Sequence, residues 1–517
     1  MENRNSQPER LSGVLVHPSS FPSRGGIGDF GPAAYEFLDW MVSACQGLWQ
    51  ILPLGPLGYG NSPYSSISAF AGNPLLISLE RLAERGWIAP GRLETLPINT
   101  GPVDFERVYA SKLPLLQEAA GNFLAGASGT ALSRYEDFKR DNYWWLEEYV
   151  LFLALRRHYP DGAWNCWPRE FARRDPNALN GFRQEHHQQL EITRAIQFAF
   201  WEQWRALHHS CRRRGIRVMG DVAIFVSYDS ADVWNHPGVF YLDDNLDPIA
   251  VAGVPPDFFS KTGQRWGNPL YRWDVLKQRG YDWWVHRMRW ALETCDLVRI
   301  DHFRGFAQYW EIPVAEETAV NGKWVDGPGA ELFHVIRNAL GRLPVIAEDL
   351  GYITPDVHAL RKQFGIPGMC VMQFGFGYQP HKYLPHWYDQ MTAAYTGTHD
   401  NDTTLGWWQT AATEKEKLEA QSYLGFDPRD PASIPWAFVR ALVASPARYS
   451  VVPLQDVLAL GSEARMNTPS VANGNWTWRY NAEDLTSESA TKLAELCQVC
   501  DRFPATMEDF PEAEFFA

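Results

Sequence analysis

A (β/α)8 barrel is the fold this chain predicts, on three observations. Eight short apolar runs recur along it, amphipathic helical patterns fill several of the gaps, and charged residues gather where the runs end. The runs are GVLVHPSS (13–20), LWQILPLG (48–55), IRVMGDVAIFV (216–226), DLVRIDHF (296–303), LPVIAEDLG (343–351), GMCVMQFGF (368–376), AAYTGTHDND (393–402) and YSVVPLQDVLAL (449–460). Most are continuously apolar rather than alternating, the pattern of parallel strands covered on both faces. A doubly wound open sheet is the rival architecture.

The first gap holds AAYEFLDWMVSAC, which sets Ala34, Phe37, Leu38, Met41 and Cys45 on one helical stripe. DWWVHRMRWALETC does the same with Trp284, Met288, Ala291, Leu292 and Cys295. TPDVHALRKQFG has Thr354 as N-cap, Pro355 at the first helical position and Gly365 as a stop. The gaps are unequal. Residues 59–215 form a mainly helical insertion, 227–280 a loop-rich one, and 403–448 a helical one. With no Ser/Gly linker or internal repeat, one catalytic barrel over 1–517 with inserted subdomains is expected. Insertions after strand ends are where barrel enzymes build substrate sites.

Composition narrows the function. Of 517 residues, 45% are hydrophobic and 21% charged, enough for a large core. A formal net charge of −14 argues against nucleic acid or an anionic membrane surface as partner. No run approaches the roughly 18 apolar residues of a membrane span. The polar start, MENRNSQPERLSG, has no signal-peptide stretch, so a cytoplasmic location is expected. Seven scattered cysteines suit a reducing compartment, and the lone CxxC at Cys497 and Cys500 lies in an amphipathic helix and reads as core. Many of the 23 tryptophans sit on loops beside Gly, Pro, Asn or Asp. Core packing explains many of them; aromatic side chains on loops also stack on the flat faces of sugar rings.

The charged groups at the strand ends carry the chemistry. His17 stands at the first, Asp221 at the third, Arg299 and Asp301 at the fourth, Glu348 and Asp349 at the fifth, and His399, Asp400 and Asp402 at the seventh. Arg299 and Asp301 are two apart, hence on one side of their strand. In a barrel these ends converge, and burying several carboxylates together is costly unless function requires it. Glycosidic bond cleavage requires two carboxyl groups, one attacking the anomeric carbon and one protonating the leaving oxygen. An arginine beside Asp301 favours its anion, and Glu348, after apolar LPVIA, is the candidate proton donor. Asp400 is placed to bind sugar hydroxyls. A divalent metal is the competing use of Asp221, Asp301, Glu348 and Asp400, but no HxH or HExxH spacing appears and Arg299 would repel a cation.

The motifs GVLVHPSSFPSRGGIGDFG, LWQILPLGPLGYGNSPYSS, GVPPDFF…GQRWGNP, VRIDHFRG, VIAEDLG, GTHDNDT and RMNTPSVANGNWTWR, spread over 13–479, resemble those of the 4-α-glucanotransferases. These are the amylomaltases or disproportionating enzymes of the α-amylase clan. The resemblance implies a barrel with insertions and a retaining transfer of α-1,4-glucan segments to the 4-hydroxyl of glucose or another glucan. Cyclic products can follow. Donors would be maltooligosaccharides or starch- or glycogen-type glucans, with no metal or organic cofactor. By motif position, Asp301 resembles the nucleophile, Glu348 the acid/base and Asp400 the transition-state stabiliser. Arg299 and His399 resemble the clan's invariant partners. Tyr64, Asp221, Gln264, Trp266, His302, Asp349 and Asn467 resemble subsite residues, and Tyr59 falls at a second glucan site. Residues 250–268 are a candidate cover over the bound glucan. One departure is visible: Ser470 stands where the family usually has Gly. An α-1,4-glucan hydrolase on the same scaffold, or a silent glucan-binding protein, is the alternative.

Overall fold

The computed structural model describes residues 10–96, 100–256, 260–377 and 381–504. Eight strands, at Leu11–Leu15, Leu48–Gln50, Arg217–Ala223, Leu297–Asp301, Val345–Ala347, Gly368–Val371, Thr392–Tyr395 and Tyr449–Pro453, close into a parallel barrel in chain order. The first pairs with the last from Leu11↔Tyr449 to Leu15↔Pro453. Each expected run contains or overlaps one strand, and closure excludes the open sheet.

The continuous apolar character has a direct cause. Leu15, Leu48, Met219, Leu297, Ile346, Met369 and Tyr395 fill the lumen in one buried cluster. Their neighbours Val14, Trp49, Val218, Val298, Val345, Ala347 and Ala394 pack outward against the helices. Both faces of every strand are therefore covered. The outer layer includes Pro32–Ser43, which buries Ala34, Phe37, Leu38, Trp40 and Met41, and Asp282–Thr294, which buries Trp284, Met288, Ala291 and Leu292. Pro355–Gln363 begins after Thr354 and is followed by Gly365 in the left-handed region at φ 63°. Cys45 lies past its helix, at φ 56°. Cys497 is buried on Ser487–Val499 and accepts a bond from Gln46 Nε2 at 3.2 Å, which suits packing.

The stretch 59–215 is helical, with Phe105–Gly126, Gly129–Asp141, Tyr143–His158 and His187–Arg213 as its longer members. Gln197 and Gln203 of the last make paired bonds to the backbone N–H and C=O of Gly72 and Ser78. Lys112, wholly buried, meets Asp29 Oδ2 at 2.9 Å and the Leu75 carbonyl at 2.7 Å. A buried ammonium without those partners would be strongly destabilising.

Between the loops of residues 227–280 stand two strands that the sequence pattern did not announce. Ala250–Val254 and Gln264–Pro269 pair with Gln308–Pro313 and Lys323–Asp326 in a four-stranded antiparallel sheet. The candidate cover, 250–268, is thus mostly a hairpin; 257–259, which end the motif GVPPDFF, lie outside the described residues.

Candidate active site

The alternation that fills the lumen with Leu297 also turns Arg299 and Asp301 inward, further along the same strand. Arg299 is almost fully buried. Its Nη2 donates to Asp301 Oδ1 at 2.8 Å and its Nη1 to Asp221 Oδ2 at 2.6 Å, Asp221 being its register partner on the third strand. Burial works against the guanidinium charge, but Asp221 and Asp301 outweigh it and hold Arg299 firmly cationic. Burial raises the Asp221 carboxyl, although Arg299 works against that rise.

Tyr64, from a short turn at Pro63–Ser65, donates its hydroxyl to Asp221 Oδ2 at 2.8 Å. Its ring stacks on His399 at 4.8 Å, and its hydroxyl lies 3.3 Å from His399 Nδ1. His399 Nε2 is 3.4 Å from Asp400 Oδ2, and Asn467 Nδ2 donates to Asp400 Oδ1 at 2.6 Å. Desolvation alone would lift the Asp400 carboxyl; His399 and Asn467 reverse this and hold it far below the carboxylate range. The reciprocal effect raises the imidazole of His399 in spite of its burial. Asp301, Arg299, Asp221, Tyr64, His399, Asp400 and Asn467 thus form one unbroken chain of contacts.

Glu348 joins from the fifth strand's end. Ile300 and Ala347 are register partners, so Asp301 and Glu348 occupy the next rung of neighbouring strands, which lie about 4.8 Å apart. Glu348 Oε2 accepts the His302 N–H and Oε1 the Leu350 N–H, each at 2.8 Å. Burial, reinforced by the charge of Asp301, pushes its carboxyl up to about 7. His302 is in the left-handed region at φ 52°, which aims its backbone N–H at Glu348. Burial pushes its imidazole down to about 4, leaving it neutral. Trp266 meets the His302 ring edge to face at 4.8 Å and donates from Nε1 to Gln264 Oε1 at 3.1 Å. The antiparallel sheet therefore delivers Gln264 and Trp266 to this wall.

Two predicted site residues do not join. Asp349 turns the opposite way from its neighbour Glu348, meeting Arg361 Nε at 3.2 Å and the Met369 N–H at 2.7 Å. It braces the helix Pro355–Gln363 rather than the cleft. Tyr59 is 82% exposed on the turn Tyr59–Asn61, outside the contact chain. His17 is buried, and burial pushes its imidazole down to about 3. Asp402 accepts from Ser462 Oγ at 2.7 Å, a brace of its loop. Three contributors lay outside the sequence expectation. Trp476 lies 6.0 Å from Tyr64 and 5.9 Å from His399, ring centre to ring centre; Arg465 bonds the Asp400 carbonyl at 2.7 Å; Asp456 anchors the Asp400 loop. Arg465 and Trp476 both stand in the motif RMNTPSVANGNWTWR, which gave them no role of their own, and Asp456 carried no signal. Ser470 has φ 64°, the backbone region that favours glycine. Among the described residues, no group of three or more His, Cys, Asp or Glu side chains is arranged to hold a metal ion.

A closed parallel barrel, two carboxyl groups on adjoining strand ends, one clamped by Arg299 and the other with its proton affinity raised, and aromatic side chains beside them define a barrel enzyme acting on glycosidic bonds. Residues 16–486 match the model of the 4-alpha-glucanotransferase family. A 4-alpha-glucanotransferase of Thermus thermophilus is 47% identical over 95% of this chain and 99% of its own length. One from Synechocystis is 43% identical over 96% and 98%. The amylomaltase of Streptococcus agalactiae, solved with acarbose, superposes with a TM-score of 0.92 at 38% identity, covering 96% of this chain and all of its own. The chain belongs to the 4-alpha-glucanotransferase family.

Proposed function

We propose that the barrel mouth performs the family's transglycosylation with Asp301 as nucleophile, Glu348 as acid/base and Asp400 as transition-state stabiliser. The observation carrying this is the Asp301–Glu348 pair: adjoining rungs, one carboxylate clamped by Arg299, the other with its proton affinity raised. The strand spacing suits the roughly 5 Å carboxyl separation of retaining enzymes. Glu348 gives its proton to the glycosidic oxygen as Asp301 attacks the anomeric carbon, releasing the shortened glucan and leaving a glycosyl ester on Asp301. Glu348, now a carboxylate, takes the proton from the 4-hydroxyl of an incoming glucan, whose oxygen displaces Asp301 and completes the new α-1,4 bond. Asp400, held anionic by His399 and Asn467, bears on the positive charge that develops at the ring.

Transfer requires that water be kept from the ester while sugar is admitted. We assign that work to the wall bearing Gln264 and Trp266, within a catalytic barrel whose insertions at 59–215, 227–280 and 403–448 act as subdomains. Maltooligosaccharides or larger α-1,4-glucans would be donors, glucose or a glucan the acceptor, and the cytoplasm the setting.

A chromatographic time course with maltotriose, run beside a reducing-end assay, tests this. Glucose plus a ladder of longer oligomers at nearly constant reducing ends is expected. A steady rise in reducing ends would mark a hydrolase, and unchanged maltotriose a binding protein.

A further inference from the structure

Asp456 lies in the turn Leu454–Val457 directly beyond the eighth strand and is 1% exposed. Its Oδ2 accepts the hydroxyls of Thr396 at 2.5 Å and Thr404 at 2.7 Å; its Oδ1 accepts the Thr404 backbone N–H at 2.7 Å. Thr396 follows the seventh strand at once, and Thr404 opens the turn Thr404–Gly406. The segment between them, GTHDNDT, carries His399 and Asp400. One buried carboxylate therefore grips the loop at both ends.

Such a group is expensive to bury, and its contacts are short, charge-assisted hydrogen bonds. The rest of the loop is tied as tightly. Asn401 Oδ1 accepts the Thr398 N–H and hydroxyl at 2.9 and 2.8 Å, and Gln373 Nε2 donates to the Asp402 carbonyl at 3.0 Å. We propose that Asp456 is a positioning residue for Asp400: by pinning Thr396 and Thr404 it fixes where the Asp400 carboxylate stands over the reacting sugar. This rests on the role assigned to Asp400 above. Misplacing a reacting group by about 1 Å can cost roughly 100-fold in rate.

The test is a double-mutant cycle on the full chain with maltotriose. Asp456→Ala should lower kcat about 10- to 100-fold with KM changed less than about threefold. Asp456→Asn keeps the volume and the acceptor for the Thr404 N–H, and should recover most of that loss. In an Asp400→Asn background, Asp456→Ala should cost less than about twofold more, because the group it positions is already disabled. Should Asp456→Ala not fold, Thr396→Val removes one grip from the other side and enters the same cycle. A wild-type kcat in Asp456→Ala, or in Thr396→Val where that stands in, would overturn the inference. So would a loss that multiplies in full on Asp400→Asn. If Asp400→Asn alone left turnover intact, the role of Asp400 would fall instead.

Discussion

At the scale of single residues the site works by opposing environments. Glu348 and Asp400 are both carboxyl groups close to Arg299, yet burial beside Asp301 lifts Glu348 to about 7, and His399 with Asn467 holds Asp400 down. In the proposed mechanism Glu348 carries the proton that releases the leaving oxygen, so kcat/KM for maltotriose should fall as pH rises through about 7. In the residual activity of Glu348→Gln that alkaline limb should be absent; a pH–rate series on both proteins reads it. The same shift bears on stability. A proton bound more tightly in the folded state favours folding below the ordinary glutamate range, and the benefit is lost as pH rises through about 7. Much of this was legible in VRIDHFRG, because period two puts Arg299 and Asp301 on one side. That alternation also separates Glu348 from Asp349, which their shared place at the strand end had set together at the cleft. Asp456 escaped notice because an aspartate in PLQDV looks like any turn residue until two distant threonines are folded onto it.

At the scale of elements, each barrel strand serves two masters, the lumen and the helices, which is why eight continuous apolar runs could be counted. The antiparallel sheet could not be foreseen in the same way. QRWGNP carries Gly, Pro and Asn, AVAGV is small and short, and KWVD has four residues, so each looks like loop until paired. The seam between first and last strands has its own device. Arg502 is fully buried and donates to the carbonyls of Leu11, Val443, Ser445, Ala447 and Arg448. With no carboxylate partner among the described residues, its guanidinium is pushed by burial down to about 9. Arg502→Ala would strand several carbonyls at about 1–3 kcal/mol each. A clear fall in Tm by calorimetry is the expected outcome, with kcat on maltotriose unchanged at temperatures where the variant stays folded. The carbonyls it holds flank the strands' amino ends, opposite the mouth.

For the molecule as a whole, the barrel brings residues scattered from Tyr64 to Trp476 into contact, and the inserted sheet sets Trp266 against His302, whose backbone holds Glu348. Sequence patterns could announce the barrel and its carboxylates because both are local signals. They could not announce which loops meet over them, since that depends on contacts between distant segments. The central claim is that Asp301 bonds covalently to sugar while Glu348 manages the proton. Glu348→Gln should still be glycosylated by an activated maltosyl fluoride, whose leaving group needs no proton, yet turn the intermediate over slowly. Mass spectrometry of the quenched, digested protein is the direct measurement. A maltosyl mass on the peptide containing Asp301 is predicted, and its absence there, or its appearance on any other carboxylate, would contradict the account.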